Sequence, residues 1–247
     1  MRIVYGVNPV LEALRGGGAV DKVMVSSERA DRAARDVIEA AKARKVEVAR
    51  APKEELDRLC GTAVHQGVAA FLAGEFAYRD IDGLIAAWKG SGQAAFFLVL
   101  DSIQDPQNFG SLVRTAHAAG VHGIIIPKDR ATEVTPAVVK ASAGATEHTL
   151  IAREVNLVRA VERLKDENVW VAGIEAGCKE SIYEADLDRD LAIVVGSEGK
   201  GIRRLVRESC DFCLSIPMNG VLNSLNAAQA GAVAMFEARR QRLFKKK

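Results

Sequence analysis

No stretch of this sequence stays apolar for the roughly 20 residues that a membrane-spanning helix needs. Its opening, MRIVYGVNPV, lacks the apolar core of a secretory signal, so the expected location is the cytoplasm. Cysteine is scarce. The four in 247 residues, Cys60, Cys178, Cys210 and Cys213, are too few and too scattered for a disulfide framework. Cys210 and Cys213 form a C-x-x-C pair, but no second Cys or His pair lies nearby in sequence to complete a zinc site. Two thiols flanking the strand FCLSI are therefore expected, and no metal. An excess of one charge is also missing: 34 basic residues face 32 acidic ones, a net charge of +2 that neither requires nor excludes nucleic acid. Only the end, RRQRLFKKK, is lopsided, with six basic residues and no acid. It reads either as a solvated helix end or as a contact to phosphates. Internal repeats and low-complexity tracts are absent.

What is present is alternation. In residues 1–74, NPVLEALRGG reads as a short helix with Asn8 as its cap and Pro9 at the first helical position. KVMVS, VEVA and the end of HQGVAAFLA read as strands, and ERADRAARDVIEAAKARK and KEELDRLC as helices. A weak helix and a Gly-Ser-Gly break mark residues 75–94 as a linker. Beyond it the strands FFLVL, GIIIP, VWVAGIE, LAIVVG and FCLSIP alternate with helical stretches. Continuous apolar strands separated by helices predict an α/β domain over residues 95–247, with a parallel sheet buried on both faces.

Three polar loops follow predicted strands, on the side where open α/β sheets bind ligands. GSEGKG fits neither the phosphate-loop nor the dinucleotide spacing, and its acid, Glu198, suits a hydroxyl, amine or guanidinium better than a phosphate. DPQNFGSLVRTA places Asn108 at a helix mouth, where capping is its simplest role. Arg114 lies roughly 200° around the axis from the buried Leu112, at about 100° per residue. IPMNGVLNSLNAAQA carries Asn219, Asn223, Ser224 and Asn226, where one residue would suffice to cap the helix that follows. No Ser-His-Asp set, metal cluster or catalytic carboxylate pair stands out by spacing. Amides, one acid, one arginine and one serine position a substrate rather than supply strong acid–base chemistry, which suits a pre-activated donor.

DPQNFGSLVRTA, IVVGSEGKGI and IPMNGVLNSLNAAQA, in that order, resemble the three motifs of the SpoU (TrmH-type) RNA ribose 2′-O-methyltransferases of the SPOUT superfamily. The resemblance covers about residues 95–242, and YGVNPVLEAL with HQGVAA resembles the small RNA-binding domain of the RlmB subgroup. It implies a small N-terminal α/β RNA-binding domain over residues 1–74 and a parallel-sheet domain tied in a deep trefoil knot, which forms a homodimer. Knots are otherwise nearly absent from folds. It implies S-adenosylmethionine as cofactor, held by Gly196, Ile216 and Leu225 with Gly173 and Met218 as neighbours. Arg114, Asn108, Glu198, Ser224 and Asn226 take the family's catalytic positions, and Asn219 and Asn223 are left as turn residues. The implied reaction methylates a guanosine ribose 2′-OH in 23S rRNA, on free RNA or a preribosomal particle. The same chemistry on tRNA or on an rRNA adenosine, or a non-catalytic assembly factor, are the alternatives. In the family account Arg114 is the base; a second reading has it grip the neighbouring phosphate and polarise the hydroxyl.

Overall fold

The chain folds as two compact units, and the structure, a computed structural model, describes residues 1–221 and 224–244. Asn223 and the tail lysines Lys245, Lys246 and Lys247 lie outside the described residues. The first unit comprises residues 1–77 and 133–148, and the second residues 78–132 and 149–247.

The first unit begins with β1 (Arg2–Tyr5), α1 (Val7–Arg15), β2 (Val20–Ser26), α2 (Arg32–Ala43), β3 (Glu47–Ala51), α3 (Lys53–Cys60) and β4 (Val68–Leu72). Its sheet runs β1-β4-β2-β3, with β4 antiparallel to both β1 and β2, and β2 parallel to β3. The chain then enters the second unit with α4 (Ile81–Ser91), β5 (Phe96–Asp101), α5 (Pro106–Ala119) and β6 (Gly123–Pro127). It returns to the first for α6 (Pro136–Ala141) and the 3-10 turn Ala145–Glu147. Both Glu147 carboxylate oxygens there accept from the Arg2 guanidinium, at 2.9 and 2.8 Å, and His148 meets Glu12 at 2.8 Å. The second unit resumes with β7 (Ile151–Glu154), α7 (Leu157–Lys165), β8 (Trp170–Ile174), β9 (Glu180–Ser181), β10 (Leu191–Gly196), α8 (Arg204–Ser209), β11 (Phe212–Ser215) and α9 (Ala227–Leu243).

The second sheet has seven strands in the order β7-β6-β5-β10-β8-β11-β9, paired in parallel throughout. The expected α/β architecture, with a small first domain, is the one observed. Every residue of β5 and β10, the central pair, is buried, which accounts for their unbroken apolar runs. The weak helix expected in residues 75–94 is α4, whose Ile81, Leu84, Ile85 and Trp88 belong to the second unit's core. Among the described residues no helix is long and apolar enough to cross a membrane.

Several local expectations need correcting. Gly6, not Asn8, precedes α1, so Asn8 lies inside the first turn. Asp105 caps α5 by accepting from the Asn108 amide at 2.8 Å, with Pro106 at the first helical position, so Asn108 is not the cap. Cys213 is not a free thiol: it forms a disulfide with Cys178, 35 residues away in sequence, because β11 lies beside β8 and the turn after β8 brings Cys178 back. Cys210 stays free, and burial first, then Asp211, pushes its thiol up to about 12. Removing the cross-link is expected to cost about 2–4 kcal/mol. Urea unfolding of Cys178→Ser should show it, and Cys210→Ser should not. Equal midpoints for Cys178→Ser and the unmodified chain would contradict a stabilising cross-link.

The basic end of α9 is partly accounted for. Arg240 pairs with Glu237, and Arg242 donates to the carbonyls of Ala95 and Arg189, both at 2.7 Å, while stacking over Phe96. Arg242 thereby fastens the helix end to residues beside β5 and β10, whereas the Arg240 pair lies within α9 and leaves its side chain half exposed.

Candidate active site

All three polar loops sit at carboxyl ends of strands in the second sheet, after β5, β10 and β11. They differ in what fixes them. After β5, the cap at Asp105 relieves Asn108 of that duty, and its side chain is free to turn outward: Nδ2 donates to Glu198 Oε1 at 3.1 Å. After β10, the loop 197–201 closes on itself, Ser197 and Gly201 exchanging backbone hydrogen bonds of 3.1 and 2.9 Å. A Cβ on Gly196 would overlap the Gly201 carbonyl and the Ile202 amide, so only glycine admits this closure. After β11, the chain runs through Pro217 to Asn226, which caps α9 by accepting from the Ala228 amide at 2.8 Å and the Gln229 amide at 3.3 Å.

Asn226 does more than cap. Its Nδ2 donates to Asn108 Oδ1 at 2.9 Å and also to Glu198. The amide thus spends its oxygen on the helix and both of its hydrogens on the other two loops. Asn108, Glu198 and Asn226, drawn from three separate loops, form one hydrogen-bonded group. Replacing Asn226 by aspartate keeps the cap but replaces the donor by a second carboxylate facing Glu198. The expected result is a melting temperature within a few degrees of the original and at least a tenfold loss of catalytic activity. If stability fell and activity survived, Asn226 would be a cap and nothing more.

Beside this group lies a cleft of about 300 Å³. Of the residues expected around the cofactor, Gly196, Ile216, Met218 and Leu225 line it, as do Glu198 and Ser224. Gly173 does not: it is buried within β8, paired with Val194 and Cys213, and its successors Ile174 and Glu175 reach the cleft instead. Arg114 projects from α5, exposed, and makes no ion pair or hydrogen bond with any described residue. It stands outside the Asn108–Glu198–Asn226 group.

The reading of the sequence missed Glu175 and Lys200 on the cleft wall. Glu175 follows β8, so the rule that singled out the other three loops applied to it equally. Its carboxylate is held by Arg207 at 3.4 Å. The lining combines apolar side chains (Ile174, Val195, Ile216, Leu225), strand-end and loop backbone, two carboxylates and the Lys200 side chain. Such a set accommodates a flat heterocycle between apolar walls, hydroxyls on carboxylates and a cationic centre nearby, which is the chemistry of a sulfonium nucleoside.

The chain matches the SpoU rRNA Methylase family over residues 95–236. It matches the family described as RNA 2′-O ribose methyltransferase substrate binding over residues 3–75. It is 42% identical to YacO of Bacillus subtilis (strain 168), which is named for the TrmH family of tRNA/rRNA methyltransferases, over 97% of this chain and 95% of that one. A protein of the same family name from Staphylococcus saprophyticus is 40% identical over 97% and 96% of the two chains. Among solved structures, the SpoU methyltransferase AviRb of Streptomyces viridochromogenes, crystallised with the cofactor AdoMet, superposes with a TM-score of 0.81 at 24% identity. That superposition covers 98% of this chain and 90% of AviRb. The chain therefore belongs to the SpoU (TrmH-type) family of RNA methyltransferases.

Proposed function

We propose that this protein transfers a methyl group from S-adenosylmethionine to the ribose 2′-OH of a guanosine in 23S rRNA. The observation that carries the reading is the convergence of three strand-end loops, through Asn108, Glu198 and Asn226, at the rim of one cleft. Gly196, Ile216, Met218 and Leu225 hold the cofactor, with Glu175 and Glu198 offering carboxylates to its hydroxyl and cationic groups. When bound, S-adenosylmethionine supplies an electrophilic methyl on a sulfonium whose leaving group is a neutral thioether. The chain's own task is then to align the 2′-oxygen and ease the loss of its proton.

Arg114, an exposed guanidinium with no protein partner among the described residues, suits the RNA backbone. An arginine resists deprotonation, so gripping the neighbouring phosphate and polarising the 2′-hydroxyl fits its chemistry better than accepting a proton. Asn108 and Asn226 fix the Glu198 carboxylate. Ser224, exposed on the cleft wall, adds a hydroxyl there. The domain over residues 1–74 recognises RNA by shape; its twelve basic and ten acidic residues do not make a strongly basic surface. The trefoil knot, a homodimer formed through it and a cytoplasmic location complete the reading.

The test is to incubate the protein with methyl-labelled S-adenosylmethionine and unmodified large-subunit rRNA, with tRNA as control, and to map the label. Label on one rRNA guanosine 2′-oxygen is the expected result. Label on tRNA alone would keep the chemistry and overturn the substrate. Cofactor binding without transfer to RNA or to preribosomal particles would leave a non-catalytic assembly factor.

A further inference from the structure

The geometry points to Asp101 as a positioning residue that sets the cofactor loop 197–201 and, through it, Glu198. The inference rests on the methyl-transfer reading, but the residue's place in the fold does not.

Asp101 ends β5 and is fully buried, a costly place for a carboxylate unless its oxygens are satisfied. Both are. Oδ2 accepts from the Arg203 backbone amide at 2.7 Å, and Oδ1 from Arg203 Nε at 2.6 Å and from Ser102 Oγ at 3.0 Å. Arg203 follows the loop 197–201 by two residues, so the carboxylate pins the loop's outgoing end. Its incoming end is pinned as well: Gly196 lies opposite Asp101 across the β5–β10 ladder. The two ends are thus fastened to one residue, one by the sheet register and the other by the side chain. Between them Ser197 and Gly201 close the bridge that aims Glu198 at Asn108 and Asn226.

Asp101 also leads into the Asn108 loop. Ser102 adopts a left-handed backbone at φ 65°, unusual for a residue with a side chain, and its hydroxyl returns to the Asp101 carboxylate. One buried group therefore fixes the take-off of the loop carrying Asn108 and the closure of the loop carrying Glu198. Arg203 is the instrument: its side chain is 41% exposed, and it touches the Asp101 carboxylate through backbone and guanidinium together. Asp101 lies among none of the cleft's lining residues, so its effect on the cofactor runs through the loop.

Asp101→Asn is nearly isosteric. One amide oxygen still accepts from the Arg203 N–H, while the amide nitrogen cannot accept from Nε. In this variant S-adenosylmethionine binding, measured by calorimetry on the full chain, is expected to weaken at least tenfold. In the protein without cofactor, hydrogen exchange at the Ser197 and Gly201 amides is expected to accelerate by a similar factor. Amides in β5 and β10 should keep their protection, which a general loss of stability would not allow. Combining Asp101→Asn with Arg203→Met should weaken binding no more than the worse single change, because both remove one linkage. A folded Asp101→Asn protein with unchanged exchange at Ser197 and Gly201 overturns the proposal, as does full additivity in the double variant. If the unmodified protein binds no S-adenosylmethionine, the functional reading fails while the exchange measurement still decides the role of Asp101.

Discussion

Replacing Arg114 by alanine is expected to reduce methyl transfer by about 10²–10³-fold while leaving cofactor binding within twofold of the original. Arg114 lies on the exposed face of α5, on the helix whose first turn carries Asn108, and is not among the residues lining the cleft. It contributes nothing to the buried face built from Leu112, Val113, Ala116 and Ala119, so its truncation should leave the fold intact. It is a cation that no described residue neutralises, and it remains available to RNA. Lysine at the same place separates two ways of using that cation. If Arg114 grips a phosphate and polarises the 2′-hydroxyl, Arg114→Lys keeps the charge, loses the planar fork and retains a fraction of the activity with the original pH profile. If Arg114 accepts the proton, the lysine variant should gain activity with pH, following its own amine toward about 10.4. Single-turnover rates from pH 6 to 10, with saturating cofactor, distinguish the two. Full activity in Arg114→Ala would remove Arg114 from the mechanism in either form.

How much of this arrangement could be read from the sequence depends on the range of the forces that set it. β5 and β10 were legible because a strand covered on both faces must be apolar throughout, and FFLVLD and LAIVVG are nearly so. The face of α5 was legible because helical spacing is a local property. β1 was missed because RIVY is only four residues long and half-buried, and β9 because Glu180–Ser181 acquires its identity from β11 alone. The cap of α5 was misassigned because Asp105 and Asn108 are both good cap residues, and the choice falls to Asp105, whose backbone is extended before Pro106. The Cys178–Cys213 pairing and the return of residues 133–148 to the first unit depend on strand order and on distant partners such as Arg2 for Glu147. Periodicity carries no trace of either. In the site, residue types pointed to Asn108, Glu198 and Asn226 separately. That Asn226 serves cap and cluster at once required knowing where three loops meet.

The second large effect is expected at Gly196. Alanine there adds one carbon, yet that carbon would occupy the space of the Gly201 carbonyl and the Ile202 amide. Backbone cannot rotate away as a flexible side chain can, so either the loop 197–201 opens or β10 shifts against β5. The second course is resisted by the six-residue register from Leu191↔Phe96 to Gly196↔Asp101, buried on both strands. The loop should therefore yield, breaking the Ser197–Gly201 bridge and turning Glu198 away from Asn108 and Asn226. The expected cost is about 3 kcal/mol in stability, at the upper end for overpacking by a single methyl. Cofactor binding should weaken by at least a hundredfold. Gly199, at the tip of the same loop, gives the comparison. Its φ of 76° disfavours a side chain, but a Cβ there meets nothing within 4 Å. Gly199→Ala should thus cost only the local backbone strain, about 1 kcal/mol, and leave the Ser197–Gly201 bridge closed. Urea unfolding and calorimetric titration of both variants measure the ordering. Near-normal cofactor binding in Gly196→Ala would show that the loop tolerates an open form, and the close approach of Gly196 to Gly201 could no longer be what shapes the cleft.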